Sequence, residues 1–254
     1  MEDLIIIGNG NMASALCAGL GSKYRLHIFG RNTQKLHDFK RNLDFVEIYT
    51  LVEPLDISGK KVILCVKPNS LEDISTKLVG EAEMLVSILA GSDIAKIAEK
   101  IKAKHIVRAM PNVGAKFQKS MTTLTGDATV KDFACELFAS IGSVLWVDTQ
   151  KELDIATAVA GSGPAYLALV ADAMIDGAVK LGLSRTNATK LTAGLFDGFA
   201  PLLAEFEPSQ IKSNVMSPGG TTAAGIAFLE EKATRSSFIG CVESAYKKAV
   251  ELAK

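Results

Sequence analysis

Along the first 150 positions short β-rich runs, several of them almost continuously apolar, appear at 4–8, 25–29, 46–50, 62–66, 84–88, 105–109, 121–125 and 143–147. Between most of them lie stretches whose apolar positions recur at helical spacing: 12–20, 33–41, 71–78, 94–101 and 130–140. A strand that is apolar at consecutive positions must be covered on both faces, so the alternation predicts an α/β fold built on a parallel sheet with helices on either side. After Trp146-Val147-Asp148 the strand pattern stops. From there only helical spacing remains, over 152–159, 164–181, 185–206, 208–215, 221–231 and 236–253, rich in Ala and poor in β-branched runs. Pro164 suits the first turn of the long helix and Gly182 its end. Two domains are expected, an α/β domain over 1–150 and an all-α domain over 151–254.

The end of the first run carries the most specific signal. Leu4-Ile5-Ile6-Ile7-Gly8-Asn9-Gly10-Asn11-Met12-Ala13 is an apolar strand leading straight into G-x-G-x-x-A and a helix. Gly8 permits a tight turn, Gly10 lets backbone N–H groups approach a pyrophosphate, and Ala13 lets the helix pack close to the sheet. A second strand follows at the right distance, so the N-terminal half is a doubly wound, Rossmann-type dinucleotide domain rather than a plain strand turn. An NAD site usually places a carboxylate about 20 residues after the glycines. Here that address reads Phe29-Gly30-Arg31-Asn32. Arg31 can pair with a 2′-phosphate, Asn32 and Thr33 can donate further bonds, and nothing is expected to repel it, which favours NADP(H) with NAD(H) as a second cofactor.

Composition narrows the partners. In 254 residues Lys+Arg and Asp+Glu are both 28, and the halves before and after position 150 are each balanced, at 18 against 17 and 10 against 11. No basic field exists to draw nucleic acid or an anionic membrane, so neither is expected as a partner. Cys17, Cys65, Cys135 and Cys241 never approach CxxC spacing, and His27, His37 and His105 show no ligand spacing, so no metal is expected and the cysteines read as reduced thiols. Glu2-Asp3 and a strand follow Met1 directly, without a leader pattern, and no apolar run reaches the ~18 residues of a membrane helix. A soluble, cytoplasmic protein is expected.

Further segments fall at strand ends, where open α/β sheets bind ligands. These are Val66-Lys67-Pro68, Ser87-Ile88-Leu89-Ala90-Gly91 and Arg108-Ala109-Met110-Pro111-Asn112. In the helical half, Ala160-Gly161-Ser162-Gly163-Pro164-Ala165-Tyr166 opens the long helix and Ser217-Pro218-Gly219-Gly220-Thr221-Thr222 opens a later one. Two glycines before a helix, with hydroxyls beside them, suit a carboxylate. Each segment alone reads as an ordinary turn or glycine-rich junction.

Together they resemble the pyrroline-5-carboxylate reductase family over essentially the whole chain. The resemblance implies hydride transfer from NAD(P)H to the C=N bond of 1-pyrroline-5-carboxylate, giving proline in the last step of its biosynthesis. It implies that Gly8, Asn9, Gly10, Asn11, Met12, Arg31, Asn32, Val66, Lys67, Pro68, Ala90, Gly91 and Asn112 bind the cofactor. By the same resemblance Ser217, Gly219, Gly220, Thr221 and Thr222 hold the substrate, with Thr222 at the ring nitrogen as the catalytic hydroxyl. Two helical domains would interlock as a homodimer, with a ring of dimers as a larger form. The chain departs from the family pattern at Val113-Gly114, at Leu89, and at Thr50-Leu51-Val52-Glu53, which lacks a cofactor-contacting Asn.

A cyclic imine is basic and can bind already protonated, so its reduction needs orientation and a hydrogen-bonding group near nitrogen more than a charged acid. The glycine-marked turns contain hydroxyls and no His, Cys or paired carboxylates. A β-hydroxyacid dehydrogenase or another imine oxidoreductase is the rival enzyme. The absence of Lys between Pro164 and Val179 weighs against the former, whose catalytic Lys lies on the interdomain helix. A non-catalytic NADP-binding module is the rival of another class and would need no carboxylate loop.

Overall fold

The computed structural model describes residues 1–253; Lys254, the last residue of the expected helical domain, lies outside the described residues. The chain opens with β1 (Glu2–Ile7), α1 (Asn11–Leu20), β2 (Tyr24–Gly30), α2 (Thr33–Asn42) and β3 (Glu47–Thr50). Then come β4 (Leu55–Asp56), β5 (Lys61–Leu64), α3 (Leu71–Ser75), β6 (Leu78–Val79), β7 (Ala82–Ser87), α4 (Ile94–Lys100) and β8 (Ala103–Met110). The sheet region ends with β9 (Ser120–Gly126), α5 (Lys131–Ala139) and β10 (Gly142–Trp146). Helices follow: α6 (Gln150–Ala156), a π turn over Thr157–Gly161, α7 (Gly163–Lys180), α8 (Arg185–Glu205), α9 (Pro208–Val215), α10 (Thr221–Glu231) and α11 (Thr234–Ala253).

Eight strands form one sheet in the order β10-β9-β8-β7-β5-β1-β2-β3, and β4 and β6 form a separate two-stranded ribbon. The apolar runs behave as expected. Leu4 and Ile6 of β1 enter one core cluster with α1, α2 and α5, while Ile5 and Ile7 enter a second with α3 and α4. Period-2 alternation thus sends every residue of the run into a core, at roughly 1.5–3 kcal/mol for each large aliphatic side chain buried.

One pair departs from the expected parallel sheet: β8 and β9 run antiparallel, with Arg108 opposite Thr125 and Met110 opposite Thr123. Their connector is only a 3-10 turn over Val113–Phe117 and its flanks, too short for the dozen or more residues of a crossover. Parallel pairing returns between β9 and β10, which α5 connects.

Contacts divide the chain into two compact units, Met1–Ser162 with Ser244–Lys254, and Gly163–Glu243. Residues 150–162 therefore pack with the sheet. Their anchor is Arg108, 1% exposed in β8, which donates to Gln150 Oε1 and Asp154 Oδ1 of α6, both at 3.2 Å. Gln150 Oε1 also accepts the backbone N–H of Ile94 at 2.8 Å, tying the start of α4 to the same cluster. Thr149 and Glu152 close a reciprocal capping box at the head of α6.

In the second unit α7 packs on α8 and α8 on α9. Yet none of α7 or α10 is buried, and Leu167, Leu169, Leu191, Leu195 and Phe228 are all exposed. The helical stretch Gln150–Lys180 is also long and apolar enough, by length and mean composition, to cross a membrane, although no continuous apolar run in it approaches that length. The apolar residues are interrupted in sequence, and only the continuous run of helical turns makes the stretch long enough.

Replacing Arg108 with Met would strand the Asp154 carboxylate, which is only 13% exposed, without its partner. Arg108→Met is expected to lower unfolding stability by about 3 kcal/mol. Urea denaturation checks this, and an unchanged midpoint would mean the pair does not anchor α6.

Candidate active site

Parallel pairing of β1, β2, β5, β7 and β8 places their carboxyl ends on one edge, with β1 between β2 and β5 where the winding reverses. At that point Gly8 adopts φ +123, and a Cβ built on it would fall on the carbonyl oxygen of Cys65. Only glycine permits both the conformation and the approach. The Gly8 N–H donates to Phe29 O at 2.8 Å, so the loop is pinned to both neighbouring strands. Gly10 caps α1 in an extended conformation, with no side-chain hydrogen bond at the cap and no acidic residue in the first turn. A Cβ on Gly10 would meet nothing within 4 Å. Ala13 is buried beneath, while Asn11 is exposed and Met12 half-buried.

The cradle fits a dinucleotide pyrophosphate. The first N–H groups of α1 lack intrahelical partners, and the space above Gly10 is open. Asn9 Nδ2 is buried with no hydrogen-bond partner, and Asn9 lies against Gly30 at the end of β2. A cavity of about 330 Å³ adjoins this helix start, between Asn11, Met12 and Ala15 on one side and Val113 and Lys116 on the other.

At the end of β2, Arg31 is not free. Its Nη1 donates to Asp73 Oδ2 at 2.8 Å and its Nη2 to Ser70 Oγ at 3.1 Å. The residues next to Arg31 in sequence hold no carboxylate, but the fold delivers one from α3. Asn32 spends its side-chain oxygen on the N–H of Lys35 at 2.9 Å, capping α2, and Thr33 Oγ1 pairs with Thr50 Oγ1 at 3.1 Å. The other segments occupy the same edge. Val66 is half-buried, Lys67 is exposed in extended backbone before Pro68, and Ala90 and Gly91 follow β7 in a turn. Asn112 is bonded on both sides: Oδ1 accepts the Gly114 N–H at 2.9 Å and Nδ2 donates to Ala160 O at 3.0 Å. That side chain positions the 113–117 turn, and the widened π turn makes the Ala160 carbonyl available to it.

In the helical unit, Gly220 N–H donates to Ser217 O at 3.0 Å across Pro218 and Gly219, and Gly219 has φ +69. Pro followed by a left-handed Gly is the pattern of a type II turn. A Cβ on Gly220 would lie 2.5 Å from Ser217 Oγ, so a side chain there would push the Ser217 hydroxyl out of its present position. Gly220 caps α10 without a side-chain hydrogen bond, and the first turn holds no acid. Thr221 is exposed and Thr222 half-buried there.

Residues 150–252 match the family described as pyrroline-5-carboxylate reductase dimerisation, and residues 3–91 match NADP oxidoreductase, coenzyme F420-dependent. The pyrroline-5-carboxylate reductase of Synechocystis is 36% identical, over 98% of this chain and 97% of its own. The solved pyrroline-5-carboxylate reductase of Coxiella burnetii is 30% identical, covers 100% of this chain and 99% of its own, and superposes with a TM-score of 0.86. The Plasmodium falciparum pyrroline carboxylate reductase, solved with NADP bound, is 26% identical with a TM-score of 0.82, over 100% of this chain and 98% of its own. The chain belongs to the pyrroline-5-carboxylate reductase family. Membership makes it an NAD(P)H-dependent oxidoreductase acting on 1-pyrroline-5-carboxylate, and decides against the β-hydroxyacid and non-catalytic alternatives.

Burial raises the Cys17 thiol to about 12, and burial with the nearby Cys17 raises Cys65 further. Two groups beside the cofactor edge escape a reading of the sequence, Asp73 and Ser70. A helix-spaced acid and a serine are unremarkable until folding sets them against Arg31, more than one strand away.

The two loop glycines of the reductase should fail differently. Gly8→Ala is expected to cost about 3 kcal/mol or more of stability through strain and collision with Cys65. Gly10→Ala should leave stability within about 1 kcal/mol while weakening NADP+ binding about tenfold, because its methyl enters the space above the helix start. Thermal melts and NADP+ titration check both; equal stability losses would show that Gly10 is there for folding.

Proposed function

We propose that this chain reduces 1-pyrroline-5-carboxylate to proline with its residues divided as the two glycine-marked helix starts suggest. The reading is carried by the Ser217–Gly220 turn, which leaves the head of α10 uncapped, neutral and flanked by hydroxyls. The N–H groups following Gly219 and Gly220, with Ser217 and Thr221, hold the substrate carboxylate through the partial positive charge of the helix start. Thr222 hydrogen-bonds the ring nitrogen, accepting from the protonated imine and orienting the ring. NADPH, or NADH, supplies the hydride. The proton already on nitrogen stays there, so imine plus proton plus hydride gives the secondary amine. Burial holds Cys17 and Cys65 as protonated thiols, so neither supplies a thiolate in this scheme.

On the cofactor side, Gly8, Asn9, Gly10, Asn11 and Met12 form the pyrophosphate cradle, and Arg31 with Asn32 receives the 2′-phosphate. Val66, Lys67, Pro68, Ala90 and Gly91 line the route of the nicotinamide half, with Asn112 holding the adjoining turn in place. The functional division falls at residue 150, with cofactor binding over 1–150 and assembly and substrate binding over 151–254.

The helical part would form a homodimer. Its support is the dimerisation match over 150–252 and the exposed leucines and phenylalanines of α7, α8 and α10. The membrane-length stretch Gln150–Lys180 falls wholly inside that match, so its apolar surface suits a partner chain in a soluble, cytoplasmic enzyme. Light scattering on the purified protein should give twice the 27.0 kDa chain mass, or a higher even multiple if dimers assemble into a ring. A monomer would overturn this reading.

Thr222→Ala is expected to lower kcat/KM for the pyrroline by ~10–100-fold, as loss of one hydrogen bond to the reacting centre would. Pyrroline-dependent loss of NADPH absorbance measures it. An unchanged rate removes Thr222 from the mechanism, and no pyrroline-dependent oxidation by the unaltered protein would overturn the assignment as a whole.

A further inference from the structure

The Arg31 guanidinium is the group best placed to receive a 2′-phosphate, yet both of its Nη atoms are already engaged by one short segment of the chain. Asp73 takes Nη1 at 2.8 Å and Ser70 takes Nη2 at 3.1 Å. The pair is accessible to solvent, with side-chain exposures of 52% for Arg31 and 49% for Asp73. Asp73 lies in the first turn of α3, directly after the Val66-Lys67-Pro68 turn that follows β5. The two strands that flank β1 thus contribute opposite charges at one address, the cation from the end of β2 and the anion from the helix after β5.

We propose that Asp73 sets the dinucleotide preference of this reductase by competing with the 2′-phosphate for Arg31. A phosphate carries about −1.5 to −2 charges at neutral pH. To reach the guanidinium it must displace the Asp73 carboxylate or sit beside it, and either costs part of the attraction Arg31 offers. A dinucleotide with a bare ribose makes no such demand and leaves the Arg31–Asp73 pair intact. Ser70 is neutral and can remain on Nη2 in both cases. Asp73 therefore depresses NADP(H) binding and leaves NAD(H) binding nearly untouched, narrowing the gap that Arg31 alone would open. Asp73 is a positioning residue here: it acts on the cofactor through Arg31. The inference rests on Arg31 as reader of the 2′-phosphate.

Four forms of the full-length protein decide it: unaltered, Asp73→Asn, Arg31→Ala, and the double variant, each titrated with NADP+ and with NAD+ at low salt. Asp73→Asn keeps the shape and removes the charge. Its Kd for NADP+ should fall about threefold to tenfold, the range for releasing an exposed ion pair and removing a like charge, while the Kd for NAD+ stays within about twofold. Arg31→Ala should weaken NADP+ selectively, and Asp73→Asn should then bring no gain in that background. Selective loss in Arg31→Ala with no NADP+ gain in Asp73→Asn overturns the competition and leaves the reading of Arg31 standing. A gain in Asp73→Asn that is equal for both dinucleotides, or that persists without Arg31, also overturns it. Equal losses of both dinucleotides in Arg31→Ala overturn the reading of Arg31 and the inference with it. Melting temperatures of all four forms separate any of these results from loss of fold.

Discussion

The approach of Gly8 to the carbonyl of Cys65 is the constraint on which the cofactor edge depends. It sits where β1 is flanked by β2 on one side and β5 on the other. The β5 backbone comes so near that no side chain fits at position 8, and the positive φ there turns the chain sharply out of the sheet. That turn aims the first N–H groups of α1 at the edge, and parallel pairing gathers the ends of β2, β5, β7 and β8 onto the same edge. One backbone contact thus fixes where an anion can bind, and pairing direction fixes what stands around it.

Elements set by local physics were legible in the sequence. α9 and α10 begin where the Pro208 and Gly220 signals put them, and the continuous apolar runs of β1, β5 and β7 become strands covered on both faces. The features that stayed hidden depend on relations between distant residues. The β4–β6 ribbon has two residues per strand, too few to show a period. The antiparallel β8–β9 pair is specified by the length of its connector, while the apolar pattern of β9 is the same in either direction. Arg31 and Asp73 stand 42 positions apart, so the carboxylate missing from the β2 address in sequence is restored only in space. The loop at 217–222 was the reverse case: proline, two glycines and two threonines in a row specify both the turn and the chemistry it exposes.

The helical unit illustrates a limit on what one chain can bury. Only Ala188, Thr192 and Ile211 reach the buried class between Gly163 and Glu243. Helices α7 and α10 carry apolar residues around much of their circumference and bury none of them, so their sequence makes thermodynamic sense only against another surface. For such a chain the stability of the helical part is linked to association, because a partner that binds only the folded form adds its binding free energy to folding. Hydropathy alone cannot tell a stretch of this kind from a membrane helix, since both are apolar where a monomer would be polar.

Helix ends show how a neutral chain recognises anionic ligands without an electrostatic field of its own. Three helix starts are satisfied by the chain itself: Asn32 caps α2, Asp93 caps α4, and Thr149 with Glu152 closes the head of α6. At α1 and α10 the cap is glycine, no side chain bonds to it, and the first turn contains no acid. Any carboxylate placed there would gain the same favourable interaction that a ligand's anion could, and would exclude that ligand. With glycine as the cap, leaving these two ends without a side-chain bond forgoes only a few tenths of a kcal/mol at each and keeps both open. The same logic makes the Arg31–Asp73 contact informative. At Arg31 the chain does supply its own anion, so a 2′-phosphate bound there would compete with Asp73, whereas at the two glycine-capped helix ends no side-chain charge stands in a ligand's place.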